Sequence, residues 1–305
     1  MRSDENIMKY LKKNCKSIYE MEKLILENTL PYHLLKQNDK IKKQMLSNRI
    51  YELLSWKEIA IINNSFRSNN IEPIFFKGIV LGKLLYTESY FRKVGDIDLY
   101  VSNEAFDLAV EILLSVGYQF IKLENATEDH HYVFNKGIFF VELHKNILNP
   151  LVMMKEDYLK TQKKMYTIDN QKIITFNETA TLLHLLYHLY MDIYMTDVYF
   201  TNTSLYTFLI QKQNKNRFLY RAYEISLFSE KYYSKIKWNE VIEDLRKQKF
   251  RLIFKKMIYD IINIFPETFP QEFIVELGDL TYIKDMEECL FRYFVNTELI
   301  ESNIE

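Results

Sequence analysis

Residues 75–101 read FFKGIVLGKLLYTESYFRKVGDIDLYV, and the roles of the other segments can be predicted from this one. Asp96 and Asp98 stand two positions apart at the start of an extended apolar run that continues to Val101. Because successive side chains of a strand point to opposite faces, the two carboxylates share one face. Adjacent carboxylates repel each other, and a divalent cation such as Mg²⁺, held together with substrate phosphates, relieves that repulsion. The pattern therefore predicts metal-assisted phosphoryl or nucleotidyl transfer.

A second segment, residues 130–144, has the pattern of a β-hairpin, with apolar and aromatic runs on either side of a turn at residues 135–137. On its second arm, Phe140, Glu142 and His144 share one face by the two-residue period. A carboxylate among apolar neighbours is costly to bury alone, so Glu142 implies a metal or cationic partner. His144 either orients a metal ligand or is a satisfied strand histidine, and both interpretations stay open.

Together these motifs resemble the uncharacterised nucleotidyltransferase family within the polymerase-β-like nucleotidyltransferase superfamily. The resemblance extends over roughly residues 50–150 and is weaker beyond them. Most of the superfamily has Gly-Gly or Gly-Ser in the first turn, where this chain has Lys77-Gly78, a departure that the narrower family shares. The motifs that carry the resemblance are Lys77-Gly78, Arg92-x-x-Gly95-Asp96-x-Asp98-Leu99 and Val141-Glu142-Leu143-His144.

The resemblance implies a catalytic and metal-binding site made of three carboxylates. Asp96 and Asp98 would be the paired metal ligands, and Glu142 would be the third ligand and the base. Mg²⁺ is the implied cofactor, with Mn²⁺ as a possible substitute. His144 would stand behind these ligands and orient one of them.

The same resemblance implies a nucleotide-binding turn. Lys77 and Gly78 would contact the triphosphate, at the N-terminus of the helix that follows them. Arg92 could pair with the carboxylates or reach a phosphate, since its planar guanidinium suits both. We expect an NMP to pass from an NTP, with ATP favoured, to an acceptor hydroxyl, with release of pyrophosphate.

The acceptor is not written in the motif and could be a small molecule such as a sugar, a peptide or protein, or RNA. One alternative is a nucleotidyltransferase directed at tRNA or another RNA, which would use a basic surface over residues 212–256. That segment has thirteen Lys and Arg against five Asp and Glu, whereas residues 260–305 have two against eleven. Two neighbouring helical surfaces that neutralise each other would explain the same asymmetry. A non-catalytic nucleotide-binding protein is the other alternative.

The overall pattern predicts an α+β fold, in which a small mixed β-sheet forms a nucleotidyltransferase core. A chain of 305 residues that is 48% hydrophobic can bury one large core or two modest ones. We expect an N-terminal helical segment at 1–70, the catalytic core at 71–150 and a mainly helical C-terminal domain at 151–305. Strands are predicted at 74–76 and 97–101, and helices at 103–116, 178–190, 199–211, 216–232 and 238–264.

The sequence also predicts which face of one helix is buried. Along the helix at residues 50–66, Ile50, Leu53, Leu54 and Ile61 lie on one side, which predicts a buried stripe interrupted by Lys57 and Glu58.

The two cysteines, Cys15 and Cys289, suggest no disulfide partner and no zinc site. The polar N-terminus and the absence of a long apolar run predict a cytoplasmic protein with no membrane segment.

Overall fold

The structure, a computed structural model, describes residues 2–15, 17, 21, 25, 32–34, 39–93, 95–121, 131–148, 155–192, 212–248 and 251–277. A seven-stranded mixed sheet lies between helices on both of its faces. The predicted α+β class is therefore confirmed. The predicted helix at 199–211 and the position of Cys289 lie outside the described residues. None of the described helices is both long enough and apolar enough to cross a bilayer.

Among the described residues, helices and strands are interspersed up to Phe176, and the elements after it are helices. The strands are β1 (Ile74–Phe76), β2 (Ile97–Tyr100), β3 (Gln119–Ile121), β4 (His131–Lys136), β5 (Phe139–His144), β6 (Lys163–Ile168) and β7 (Gln171–Phe176). The helices are α1 (Arg2–Asn14), α2 (Asp39–Ser68), α3 (Gly78–Leu85), α4 (Phe106–Ser115), α5 (Asp157–Thr161), α6 (Glu178–Tyr190), α7 (Lys212–Tyr232), α8 (Trp238–Lys247), α9 (Arg251–Ile264) and α10 (Gln271–Leu277).

The strand order in the sheet is β3-β4-β5-β2-β1-β7-β6. β2 runs parallel to β5 and antiparallel to β1, and β1 in turn runs parallel to β7. The hairpin of β6 and β7 thus extends the same sheet to residue 176. Its turn is made by Asp169 and Asn170, both with positive φ, which is the geometry of a type I′ turn. The predicted division at residue 150 remains a prediction, and this sheet continues across it.

The two faces of the sheet pack against different sets of helices. Phe75, Leu99 and Leu143 belong to the core on one face, which α2 and α4 cover. Ile74 and Phe76 belong to the core on the other face, which α1, α6, α7 and the later helices cover. Because side chains alternate along a strand, Asp98 and Glu142 must point to this second face. The carboxylates therefore lie between the sheet and the C-terminal helices.

Two of the helix predictions are wrong in detail. The stripe of Ile50, Leu53, Leu54 and Ile61 on α2 is exposed, and the buried face instead contains Trp56, Ile59, Ile62 and Phe66. Glu52 helps to explain why a different side of α2 is buried. It is 4% exposed, and its carboxylate lies 2.8 Å from Nζ of Lys83 on α3. The helix predicted at 238–264 is divided into α8 and α9, since the backbone of Gln248 is extended.

Candidate active site

The centre of the site is a strained turn between β1 and α3. Lys77 has φ 55° and ψ −142°, a conformation that glycine adopts easily and other residues rarely do. A non-glycine residue held in this region costs on the order of 1–3 kcal/mol, and it persists only where the surroundings enforce it. The carbonyl of Lys77 accepts the first hydrogen bond of α3, from the N–H of Leu81 at 2.8 Å. The turn therefore places a lysine side chain at the N-terminus of a helix.

Strand pairing brings the carboxylates together. Asp98 on β2 lies directly beside Glu142 on β5 in the parallel register of these two strands. Nζ of Lys77 donates to Oδ1 of Asp98 at 2.9 Å. Asp98 is 2% exposed, and the side chain of Glu142 is 25% exposed. A buried carboxylate paired with a lysine thus stands next to one that still reaches solvent.

His144 belongs to the same group of side chains. Its Nε2 lies 3.2 Å from Oδ1 of Asp98 and 3.4 Å from Oε2 of Glu142. Among the described residues, potential metal-ligand atoms of Asp98, Glu142 and His144 all lie within 4.8 Å of one another. On the neighbouring strand, His131 pairs with His144, and its Nε2 lies 4.0 Å from Oε1 of Glu142. Burial lowers the pKa of His131.

Asp96 is not in that three-residue group and instead faces the turn at Gly78. A Cβ atom added to Gly78 would lie 3.5 Å from Oδ1 of Asp96, 3.7 Å from Oδ2 of Asp98 and only 3.2 Å from the carbonyl oxygen of Asp96. The missing side chain of Gly78 thus leaves a cradle between two carboxylate oxygens. Mg²⁺ prefers oxygen ligands, keeps several waters and commonly takes only one or two carboxylates from the protein. The residues present therefore fit such an ion.

The electrostatics of these carboxylates differ. Burial opposes the ionisation of Asp98, but Lys77 and His144 hold its pKa well below the usual range. Burial, together with the charges of Asp98 and Glu142, raises the pKa of Asp96 to about 7. Burial also opposes the charge of Lys77, yet Asp98 and Glu142 raise its pKa above the usual value. The site therefore has more negative charge than its own lysine can balance.

Arg92 has other partners than those expected from the sequence. Its Nε donates to Oε1 of Glu224 on α7 at 2.7 Å, and its NH1 donates to the carbonyl of Gly78 at 3.2 Å. Arg92 is 6% exposed and Glu224 is fully buried. The guanidinium thus links α7 to the turn that contains Lys77, and it positions that turn from behind. Glu224 was missed by the sequence analysis, although a lone acid between the apolar Tyr223 and Ile225 was a usable signal.

The predicted site residues therefore fall into two groups. Lys77, Asp98, Glu142 and His144 meet directly, and Asp96 approaches from the side of Gly78. Arg92 lies behind the turn, against Glu224.

The basic segment at 212–256 is partly neutralised within the chain. Arg221 on α7 lies 3.0 Å from Asp192, Arg246 on α8 lies 3.3 Å from Glu276, and Lys256 on α9 lies 2.8 Å from Asp260. Two of these pairs join the basic segment to the acidic residues that follow it. These contacts agree with surfaces that neutralise each other, which was the second explanation of the charge asymmetry.

Comparison with solved structures gives only loose likenesses. A solution structure of the antibiotic-resistance factor ANT(2″)-Ia is 14% identical, with a TM-score of 0.37 over 70% of this chain and 97% of that one. A crystal structure of ANT(2″)-Ia in complex with adenylyl-2″-tobramycin is 13% identical, with a TM-score of 0.34 over 55% of this chain and 95% of that one. An antigenic nucleotidyltransferase-like protein from Paracoccidioides brasiliensis is 14% identical, with a TM-score of 0.34 over 66% and 97% of the two chains.

These likenesses are too weak to transfer a substrate or a site residue. No curated protein matches the sequence. The family comparison is the informative one, because the model described as "Uncharacterised nucleotidyltransferase" matches residues 18–262. That match includes every strand of the sheet and most of the described helices. The chain therefore belongs to the uncharacterised nucleotidyltransferase family and is an enzyme of the nucleotidyl-transferring class.

Proposed function

We propose that this enzyme uses Mg²⁺ to transfer an NMP from an NTP, with ATP favoured, to an acceptor hydroxyl. The observation that carries the proposal is the convergence of Asp96, Asp98 and Glu142 around the Lys77-Gly78 turn. Mg²⁺ bound by these carboxylates would neutralise the triphosphate and polarise its phosphoryl oxygens. Mn²⁺ has the same preference for oxygen ligands and could replace it.

The triphosphate would lie at the N-terminus of α3. The backbone N–H groups of the first turn of α3 have no partners within the helix, and the helix dipole favours an anion there. Gly78 allows close approach because it has no side chain. Arg92 supports this turn through the carbonyl of Gly78, so its contribution to nucleotide binding is to hold the turn in place.

Glu142 is the proposed base. Its side chain is 25% exposed, so an acceptor can reach it from solvent, whereas Asp98 is 2% exposed. In the reaction, the acceptor oxygen forms a bond to the α-phosphorus while the bond from that phosphorus to the bridging oxygen breaks. Pyrophosphate leaves, and the hydroxyl proton passes to Glu142.

Titration calorimetry with each of the four NTPs in the presence of Mg²⁺ tests this proposal. We expect one NTP to bind only when Mg²⁺ is present, and the double variant D96N/D98N to lose that binding. D107N is the matched control, because Asp107 is an exposed carboxylate on α4. The acceptor would then be sought by transfer of label from the α-labelled NTP.

Two results would contradict the proposal. Binding of no NTP would favour a non-catalytic protein or one that needs a partner. Equal binding by D96N/D98N would show that the metal lies elsewhere. Steep salt dependence of RNA binding would instead support an RNA acceptor, since released counterions make such binding sensitive to salt.

A further inference from the structure

We infer that the Lys77 ammonium takes the place of a second metal ion, so that this enzyme works with a single divalent cation. The inference rests on the proposed metal-dependent function and specifies how the site neutralises its charge. Two-metal sites place their ions about 3.5–4 Å apart, where both can contact the reacting groups. The question is therefore whether the carboxylates leave room for two ions.

The two oxygens of Asp98 are not equivalent. Oδ1 lies 2.9 Å from Nζ of Lys77 and 3.2 Å from Nε2 of His144. Oδ2 is the oxygen that faces the cradle at Gly78, on the same side as Oδ1 of Asp96. A carboxylate that bridges two metal ions offers one oxygen to each. Because Lys77 and His144 already engage Oδ1, only the Asp96 side of Asp98 remains for an ion.

The position of the lysine side chain is enforced by its surroundings. The ammonium lies 5.3 Å from the centre of the Phe76 ring, and the side chain is 20% exposed. A cation over an aromatic face is attracted by the ring, and desolvation strengthens this attraction. The backbone of Lys77 is held at φ 55°, where a glycine would be more comfortable. The backbone of the turn is therefore strained at the residue that supplies the ammonium.

The charges agree with one ion. Asp96, Asp98 and Glu142 together have three negative charges when ionised, and Lys77 has one positive charge. In the enzyme without nucleotide, one divalent cation balances the remaining two negative charges. Lys77 contacts Oδ1 of Asp98, the same oxygen that faces His144, and His144 in turn lies 3.4 Å from Glu142, so the ammonium serves the Glu142 side of the site. The acceptor hydroxyl, which approaches Glu142, would then lose its proton to that carboxylate without an ion of its own.

Counting Mn²⁺ ions by electron paramagnetic resonance tests the inference without measuring activity. Titration of the wild-type chain should give one saturable Mn²⁺ site, and addition of inorganic triphosphate should give no spectrum of a coupled ion pair. K77M removes the ammonium and keeps a side chain of similar length, so it should bind two Mn²⁺ ions. K77G removes the ammonium and also relieves the backbone, so it should fold well and likewise bind two.

K83M is the matched control. Lys83, on α3, is another partly buried lysine, but it pairs with Glu52 and Asp169 and not with the carboxylates of the cradle. This variant should keep one site.

The outcomes separate the inference from the function on which it rests. Two coupled Mn²⁺ ions in the wild-type chain would overturn the inference and leave the proposed function intact. A single site in both K77M and K77G would overturn it as well, because the ammonium would then not be what excludes the second ion. Absence of any Mn²⁺ site in the wild-type chain would overturn both.

Discussion

Two charged clusters flank the turn at Gly78, and they differ in their burial and in the balance of their charges. We call Arg92 and Glu224 the locked pair, and Lys77, Asp96, Asp98 and Glu142 the open cluster. The locked pair matches one positive charge with one negative charge, and its two residues are 6% and 0% exposed. The open cluster sets three carboxylates against one lysine, and the side chain of Glu142 still reaches solvent.

This difference separates a structural role from a chemical one. A buried pair that is charge-balanced and fully hydrogen-bonded does not attract another ion. It stabilises the contact between the two elements that contain its residues. In the open cluster, burial together with the unbalanced charge of Asp98 and Glu142 raises the pKa of Asp96. Perturbed carboxylates in a partly open site are typical of functional sites, and the proposed cation would bind here. Variants of the two clusters should therefore fail in different assays.

Breaking the locked pair should have the largest effect, and the effect should be on stability. E224A leaves the Arg92 guanidinium buried with no carboxylate, and removing one partner of a buried ion pair costs about 3–5 kcal/mol. We expect urea unfolding to show a loss of that size. Replacing both residues, as in R92L/E224L, should recover part of it, because the uncompensated charge is gone. A loss below about 1 kcal/mol in E224A would mean that the pair does not anchor α7.

Neutralising the open cluster should affect activity more than folding. D98N removes the carboxylate that contacts both Lys77 and the metal cradle. Loss of several kcal/mol of transition-state stabilisation corresponds to a decrease of about 10²- to 10³-fold in the rate of NMP transfer. Label transfer from an α-labelled NTP measures this rate. The matched variant D107N should retain full activity, and a D98N enzyme of normal activity would remove Asp98 from the site.

Filling the cradle should weaken metal binding while stability stays nearly constant. In G78A the new Cβ meets the carbonyl of Asp96 at 3.2 Å, a tight contact that offsets the gain of up to about 1 kcal/mol from alanine in a helix. We expect Mn²⁺ affinity to fall by about tenfold, which is about 1.4 kcal/mol.

A glycine one turn later on α3 provides the control for G78A. A Cβ at Gly82 would make only ordinary contacts, the nearest being the carbonyl of Ser89 at 3.5 Å. G82A should therefore bind Mn²⁺ with the wild-type affinity. Equal weakening in both variants would show that the effect comes from the helix and not from the cradle.

For a change of one pH unit from about 7, the smallest expected effect is a pH dependence of metal binding. Asp96 must lose its proton to bind an ion, and its pKa in the folded protein is about 7. Mn²⁺ affinity should therefore fall as the pH drops below about 7, by at most tenfold per pH unit. Calorimetry between pH 5.5 and about 8 measures this, and D96N should flatten the profile.

Ionisation of Asp96 favours metal binding but lowers the stability of the folded protein. Because the folded-state pKa of Asp96 is raised, its contribution to stability is present below its unfolded pKa and is lost as the pH rises through about 7. Without metal, the wild-type protein should therefore gain stability relative to D96N as the pH falls from about 7. The reverse order would show that the carboxylate is not buried beside Asp98 and Glu142.

Local sequence patterns predicted the elements that carry the site. β1 lies at the predicted residues, β2 ends one residue before the predicted end, and Glu142 and His144 share a strand as the two-residue period requires. The helix predicted at 103–116 corresponds to α4, and Gly117, two residues after its end, has φ 94°, the geometry of a helix C-terminus. These features depend on interactions within a few residues, so they can be recognised in the sequence alone.

The buried face of a helix and the exact position of a turn were less predictable from the sequence. The apolar stripe on α2 points to solvent, because the sheet and the buried carboxylate of Glu52 select a different side of that helix. The predicted hairpin forms over residues 131–144, but its turn consists of Gly137 and Ile138, whereas the turn was predicted at residues 135–137. Turn position and helix rotation both depend on neighbours that the local pattern does not contain.

The sequence by itself determined the order of elements, the Lys77-Gly78 turn and the two carboxylates on β2. Only the tertiary structure decided that Asp98 lies beside Glu142, 44 positions later, and that Arg92 pairs with Glu224, 132 positions later. The reason is physical: hydrophobic period and turn chemistry act over a few residues, whereas strand order and buried ion pairs are selected by packing of the whole chain.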